Sequence, residues 1–378
     1  MMKKLFFLVL LGYTSTYAQT QIGADIDGEA ASDNSGYSVS LSSDGTTVAI
    51  GAYGNDGSGN SAGHVRVYKN ISGAWTQLGA DIDGEAASDN SGYSVSLSSD
   101  GTTVAIGACN NDGSGTDAGS VRVYKNELGT WTKIGADIDG EAASDYSGWS
   151  VSLSSDGTTV AIGAYLNDGS GTDAGSVRVY KNVSGTWTKI GADIDGEAAS
   201  DYSGLSVSLS SDGTTVAIGA HYNDGSFANA GSVRVYKNVS GTWTKIGADI
   251  DGEAASDNSG FSVSLSSDGT TVAIGARNND GSFADAGSVR VYDLAAVLSS
   301  DSFVQSNFSI YPNPSNGIVN ISLENNLQLE KVTIYNQLGQ VVKTATTNVI
   351  TTSDLAKGSY YVEIITNEGK ATKQLLIQ

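Results

Sequence analysis

Between residues 19 and 293 the chain alternates bulky apolar residues with small ones, rather than apolar residues with charged ones. Val151 and Leu153 alternate with Ser150, Ser152 and Ser154, and Val160 and Ile162 alternate with Ala161 and Gly163. Period-two alternation bounded by turn residues predicts β-strands. Four such segments follow one another around residues 146–194: YSGWSVSLSS, TTVAIGAY, SVRVYKN and TWTKIGADI, separated by Gly, Asp, Asn and Ser. Helix signals are nearly absent from this region. Large-against-small alternation fits sheets covered on both faces, where Val, Leu and Ile of one sheet meet Ser, Ala and Gly of the next.

The pattern repeats with a constant step. GADIDGEAASD begins at Gly23, Gly79, Gly135, Gly191 and Gly247, 56 residues apart with no insertion. A fixed period of this length signals an array of identical supersecondary units. Four-stranded sheets packed face to face around an axis form a β-propeller. The expected fold is therefore all-β: a five-bladed β-propeller of 56-residue repeats, with a parallel β-helix as the alternative. The phase places TWTKIGADI as the outermost strand, after SVRVYKN. Because the fifth copy stops after its third strand, residues 19–27 are expected to supply the missing outer strand and close the ring.

The ends of the chain read differently. Lys3 and Lys4, the apolar run Leu5 to Leu11, and Thr16-Tyr17-Ala18 have the form of an export signal cleaved near Ala18. No later segment is long and apolar enough to be a membrane-spanning helix. Cys109 is the only cysteine, which excludes an intrachain disulfide. Residues 19–293 carry thirty-five acidic against thirteen basic side chains. Such a field repels nucleic acid and anionic membranes and favours solubility, cations or basic partners. After Asp293 the acidity falls away. Residues 294–305 read as a linker and 306–378 as a small antiparallel β-sandwich with Asn-Gly and Leu-Gly turns.

GYSVSLSSDGTTVAIGA followed by AGSVRVYKN resembles the FG-GAP repeats of integrin-type propellers, in all five copies. The chain departs from that pattern twice. The Pro expected after Gly-Ala is replaced by Tyr53, Cys109, Tyr165, His221 and Arg277, and the SSDG hairpin lacks the Asp ladder that binds calcium in the family. Calcium is not carried over to that hairpin. The C-terminal segment is similar to the type A sorting domain of the type IX secretion system of Bacteroidota. The similarity rests on Tyr311-Pro312-Asn313-Pro314, on Gly358-Ser359-Tyr360-Tyr361-Val362 and on the basic-then-apolar end. It implies export across the outer membrane by that machinery, to the medium or the outer cell surface.

Because SLSSDGTTVAIGA is unchanged in every copy, the few differences stand out. Position 34 and its equivalents read Asn34, Asn90, Tyr146, Tyr202 and Asn258; position 37 reads Tyr37, Tyr93, Trp149, Leu205 and Phe261. The pair after Gly-Ala contributes Tyr53, Cys109, Tyr165, His221-Tyr222 and Arg277. These fall mostly in loops on one face of a propeller, where a rigid scaffold displays recognition residues. The candidate ligand-binding set is Tyr37, Tyr53, Tyr93, Cys109, Trp149, Tyr165, His221, Tyr222, Phe261 and Arg277, for an extracellular protein or glycan. The aromatics at position 37 also suit wedges between blades.

Asp25, Asp27, Glu29 and Asp33 share one loop and Asp56 lies in its neighbour, a set with the hard oxygen ligands that calcium takes. Asp-Gly is equally ordinary turn chemistry. Catalysis by paired carboxylates needs two acids in unlike environments, yet every acid of GADIDGEAASD recurs in all five copies. His64 and His221 have no evident triad partner. The expected function is a non-enzymatic binding or adhesion module; the alternatives are a secreted carbohydrate-active enzyme and a passive matrix component.

Overall fold

The structure, a computed structural model, describes residues 19–298, 304–305, 307–324, 327–367 and 369–378; the export signal read at 1–18 lies outside them. It is an all-β molecule: a five-bladed β-propeller followed by a β-sandwich. In the first blade Ser38–Leu41, Thr47–Ala52 and His64–Ile71 form an antiparallel meander. The outer strand comes in two pieces, Ala74–Gln77 and Ile82–Asp83, both pairing with the third strand. Blades two to four repeat this arrangement, and the fifth keeps three strands, Ser259–Leu265, Thr271–Ala276 and Ser288–Asp293.

The Ser-Asp-Gly turn between the first two strands is held by its own aspartate. Asp44 accepts from the Ser42 hydroxyl at 2.7 Å and from the Thr46 amide at 2.9 Å, an Asx-type turn. The same bonds recur at Asp100, Asp156, Asp212 and Asp268. This accounts for a hairpin that is unchanged in every copy without any cation.

The hydrophobic core lies between blades. Val65, Val67 and Ile82 of blade one meet Val95, Leu97, Val104 and Ile106 of blade two, and equivalent clusters join blades two to three and three to four. Serines on the inner strands stitch the same junctions: the Ser40 hydroxyl accepts the Leu97 amide at 2.9 Å, and the Ser38 hydroxyl donates to the Gly92 carbonyl at 2.7 Å. Glycine is required where the inner strands approach most closely. A Cβ on Gly107 would sit 2.0 Å from the Gly148 carbonyl oxygen. The large-against-small pattern is thus the two sides of one junction.

The N-terminal segment does not do what the repeat phase led us to expect. Residues 19–27 form no strand, and Ser288–Asp293 pairs only with Thr271–Ala276. Instead the Ile22 carbonyl accepts from Trp75 Nε1 at 2.8 Å, as Leu78, Ile134 and Ile190 accept from Trp131, Trp187 and Trp243. Residues 19–27 therefore occupy the place of an outer strand preceding blade one. That contact is close in sequence, whereas closing the ring requires a loop of the whole array.

Blades one and five are left with uncovered inner faces among the described residues. Leu41 is 57% exposed where Leu97 is 7%, and Val289 is 69% exposed where Val65 is fully buried. Where the fifth outer strand is missing, the short helix Ala295–Leu298 sets Val297 against Gly247, where a tryptophan packs in the other blades. Leu294 and Val304, both within the stretch read as a linker, are buried.

The C-terminal sandwich packs a three-stranded sheet of Phe308–Tyr311, Ile318–Leu323 and Val349–Thr351 on a four-stranded sheet of Leu329–Tyr335, Val341–Ala345, Gly358–Thr366 and Gly369–Ile377. Its core is continuous with that of blades four and five through Leu294 and Val304.

Candidate binding groove

Each blade delivers its variable residues through the same two loops. Position 37 enters the inner strand and the residue after Gly-Ala leaves the second strand, so antiparallel pairing sets them side by side. Around the axis they merge into one line of rings. Tyr37 lies 4.6 Å from Tyr53 and 4.9 Å from Tyr93, Tyr93 lies 4.4 Å from Trp149, and Trp149 lies 4.4 Å from Tyr165. The line continues from Tyr165 to Tyr202 at 6.0 Å, to His221 at 5.7 Å and to Phe261 at 5.9 Å. Most pairs are tilted or edge-on, the arrangements aromatic quadrupoles favour. Arg277 covers Phe261 with its guanidinium carbon 4.1 Å from the ring centre, a cation–π contact at the end of the line.

These rings wall a groove of about 590 Å³. Tyr37, Tyr93, Trp149, Tyr165, His221, Tyr222, Phe261 and Arg277 of the sequence-derived set all line it. Tyr53 is half-buried and does not line the groove, but its ring lies 4.6 Å from Tyr37 and 5.6 Å from Tyr93. Cys109 is fully buried, so it packs beneath the surface and presents no thiol to a ligand; burial pushes that thiol up to about 12. The wall also includes Leu166, Tyr202 and Leu205, which the sequence-derived set left out. Tyr202 was visible as a difference at position 34, but only the fold shows that this loop reaches the same groove.

The wall is mostly neutral. Burial pushes the Tyr165 phenol up to about 12, and burial together with the Tyr37 hydroxyl raises Tyr93 as well. Burial, reinforced by the Arg277 charge, lowers His221 to about 4, so its imidazole is uncharged at neutral pH. Arg277 is the wall's cation. Rings that touch each other as wedges therefore also offer half-buried faces to solvent.

The acids proposed for calcium are not gathered. Buried Asp33 accepts from the Ala30 amide and the Asn55 side chain, both at 3.0 Å, and Asp56 accepts from the Ser61 amide at 2.7 Å. Asp25 accepts from Gln21 at 2.8 Å, and the Asp27 carbonyl accepts from Arg66 at 2.7 Å. Among the described residues no three of these five acids bring ligand atoms together; Glu29 alone joins a cluster, with His64 and Asp81.

In the sandwich, Asn313 clamps the last strand, donating to the Gln374 carbonyl at 2.8 Å and accepting from the Leu376 amide at 2.9 Å. It stands between Pro312 and Pro314, after the exposed Tyr311. Gly358 opens the strand that carries Tyr360, and the Tyr360 hydroxyl donates to the Ala356 carbonyl at 2.8 Å. Among the described residues no helix is long and apolar enough to cross a membrane.

A propeller of near-identical blades ending in a clamped β-sandwich defines the class of this molecule. Residues 81–124 and 133–180 match the FG-GAP repeat, and residues 309–378 match the secretion system C-terminal sorting domain. The chain joins FG-GAP repeats to a type IX sorting domain and is a secreted or surface-located protein handled by that secretion machinery.

Several solved structures are similar. A periplasmic gluconolactonase of Pseudomonas aeruginosa is 15% identical, with a TM-score of 0.45 over 90% of this chain and 88% of its own. A putative 6-phosphogluconolactonase of Bacteroides uniformis is 14% identical, with a TM-score of 0.44 over 84% of this chain and 88% of its own. Hydrazine synthase of Kuenenia stuttgartiensis is 16% identical, with a TM-score of 0.45 over 69% of this chain, which spans 65% of that protein. Their activities belong to those proteins. No curated protein sequence matches the chain.

Proposed function

We propose that the propeller is a non-catalytic binding module, displayed at the outer surface or released, whose aromatic groove engages an extracellular glycan. The observation that carries this reading is the convergence of copy-specific residues. Copy-specific residues at position 37 and after Gly-Ala meet in a single groove, while the SLSSDGTTVAIGA scaffold beneath stays constant. Half-buried ring faces suit the apolar faces of sugars, and rigid aromatic anchors give contact area at low entropic cost. The recurring acids support the non-catalytic reading, because they are engaged in latches and ion pairs of the scaffold. Glu85 lies 3.3 Å from Arg122, and Asp89 accepts from Asn111 at 3.0 Å.

The test is a glycan and cell-surface binding screen of the secreted protein beside its Trp149→Ala and Tyr165→Ala variants. Loss of an anchor ring is expected to weaken binding by about 2 kcal/mol or more, roughly 30-fold. Binding that survives both substitutions unchanged sinks the groove assignment. Turnover of a bound polysaccharide sinks the non-catalytic reading.

A further inference from the structure

Blade one differs from blades two to four at two positions that meet in space. Where Ser120, Ser176 and Ser232 begin the third strand it has His64, and where Lys133, Lys189 and Lys245 end the first piece of the outer strand it has Gln77. In the other blades the lysine joins two carboxylates: Lys133 Nζ is 2.6 Å from Asp137 and 3.7 Å from Glu85. Lys189 and Lys245 do the same with Asp193 and Glu141, and with Asp249 and Glu197. Blade one keeps both acids, Glu29 and Asp81, and lacks the ammonium. Gln77 donates an amide hydrogen bond to Asp81 at 2.5 Å.

The imidazole is aimed into the place the ammonium left. His64 Nδ1 lies 3.8 Å from Glu29 Oε2 and 4.0 Å from Asp81 Oδ2. His64 is 1% exposed, and neither ring nitrogen has a hydrogen-bond partner. One donor atom from each of the three side chains lies within 4.8 Å of the other two. The paired exchange removes a built-in cation and adds a nitrogen ligand between two carboxylates.

We propose that Glu29, His64 and Asp81 form a zinc site unique to the first blade. A buried imidazole nitrogen beside two carboxylate oxygens suits zinc, whereas calcium and magnesium take oxygen ligands. Zinc bonds of about 2.0–2.2 Å in a tetrahedron set ligands roughly 3.4 Å apart, so each carboxylate must draw in on the imidazole by about half an ångström and the two carboxylates on each other by up to about 1.4 Å. The half-exposed carboxylates have that freedom: the side chains of Glu29 and Asp81 are 44% and 29% exposed. Glu29 Oε1 lies 3.6 Å from Arg66, which orients the other oxygen toward the imidazole. The solvent side leaves the fourth position to water.

The chain has two histidines, which makes the control clean. Titration of the purified secreted protein with zinc chloride, followed calorimetrically and by metal content after dialysis, is expected to show one zinc per chain. Millimolar calcium is expected not to displace it. H64S and Q77K each restore the residue that blades two to four carry, so the fold tolerates them. H64S removes a ligand and is expected to weaken zinc binding at least about 100-fold, and Q77K, which sets an ammonium beside the ligands, by about 10–100-fold. His221→Ala is expected to bind as the native protein does. Failure of the native protein to bind zinc at micromolar concentration overturns the proposal. So does full binding by H64S or Q77K, loss of binding in His221→Ala, or displacement by calcium.

Discussion

His221 shows how one side chain can report on the groove. It is buried among Tyr202, Tyr222 and Phe261, and its folded state resists protonation until about pH 4. An unfolded histidine takes up its proton near pH 6.5. Between those values the unfolded chain binds more protons, so stability falls as the pH drops from about 6.5 to 4. The contribution is fully present above that window. Melting temperatures at pH 7.5 and 4.5 are expected to differ more in the native protein than in His221→Tyr, which carries the residue of the third copy, Tyr165. Equal pH dependence in both would remove His221 as the cause. The position was legible in the sequence as a copy-specific difference. Its burial was not, because burial depends on rings contributed by neighbouring blades.

At the scale of the strand, the alternation of large and small residues proved to be an interface. Val and Leu of one inner strand lean on the preceding blade, while serines of that strand reach the following one. This predicts a contrast between identical residues in identical local sequence. Leu97→Ala should cost about 2–5 kcal/mol through the cavity it leaves. Leu41→Ala, on the uncovered face of blade one, should fall within about 0.5 kcal/mol of the native protein. Denaturant unfolding of the two variants measures the difference directly. Equal losses would mean that blade five covers Leu41 and that the ring closes after all. The strands, their order and the turn aspartates could be read from periodicity and Asp-Gly chemistry. The split outer strand could not, nor could the buried Arg122 that ties the Asp83 carbonyl to the Ser91 hydroxyl at 3.1 Å each. An arginine in an alternating strand looks solvent-facing until the neighbouring blade is in place.

On the scale of the whole molecule, two modules share a core. Val239 and Ile246 of blade four are buried where Val183 of blade three is 58% exposed, and they belong to the cluster that runs through Leu294 and Val304 into the sandwich. The sorting domain thus packs against the array it exports. Removal of residues 309–378 is expected to leave the protein in the periplasm. Grafting residues 301–378 onto an unrelated exported reporter is expected to send that reporter outside, as cell fractionation would show. Secretion of the truncated chain at the native level would refute the assignment of this segment as the sorting signal.

By itself the sequence determined the blade count, the strand order within a blade, the turn chemistry and the sorting module. All of these rest on local pattern, which for the blades a 56-residue repeat states five times over. Only the tertiary structure decided how the copies meet. Stacking the blades turned scattered differences at positions 34, 37 and 53 into one aromatic groove, buried Cys109 beneath it and engaged Asp33 and Asp56 of the expected calcium ligands in hydrogen bonds of the scaffold. It also set His64 and Gln77, thirteen residues apart in the chain, beside the same acid, Asp81. The physical reason is that a repeat repeats its own interior, while the groove is lined at junctions between copies, whose partners lie about 56 residues away.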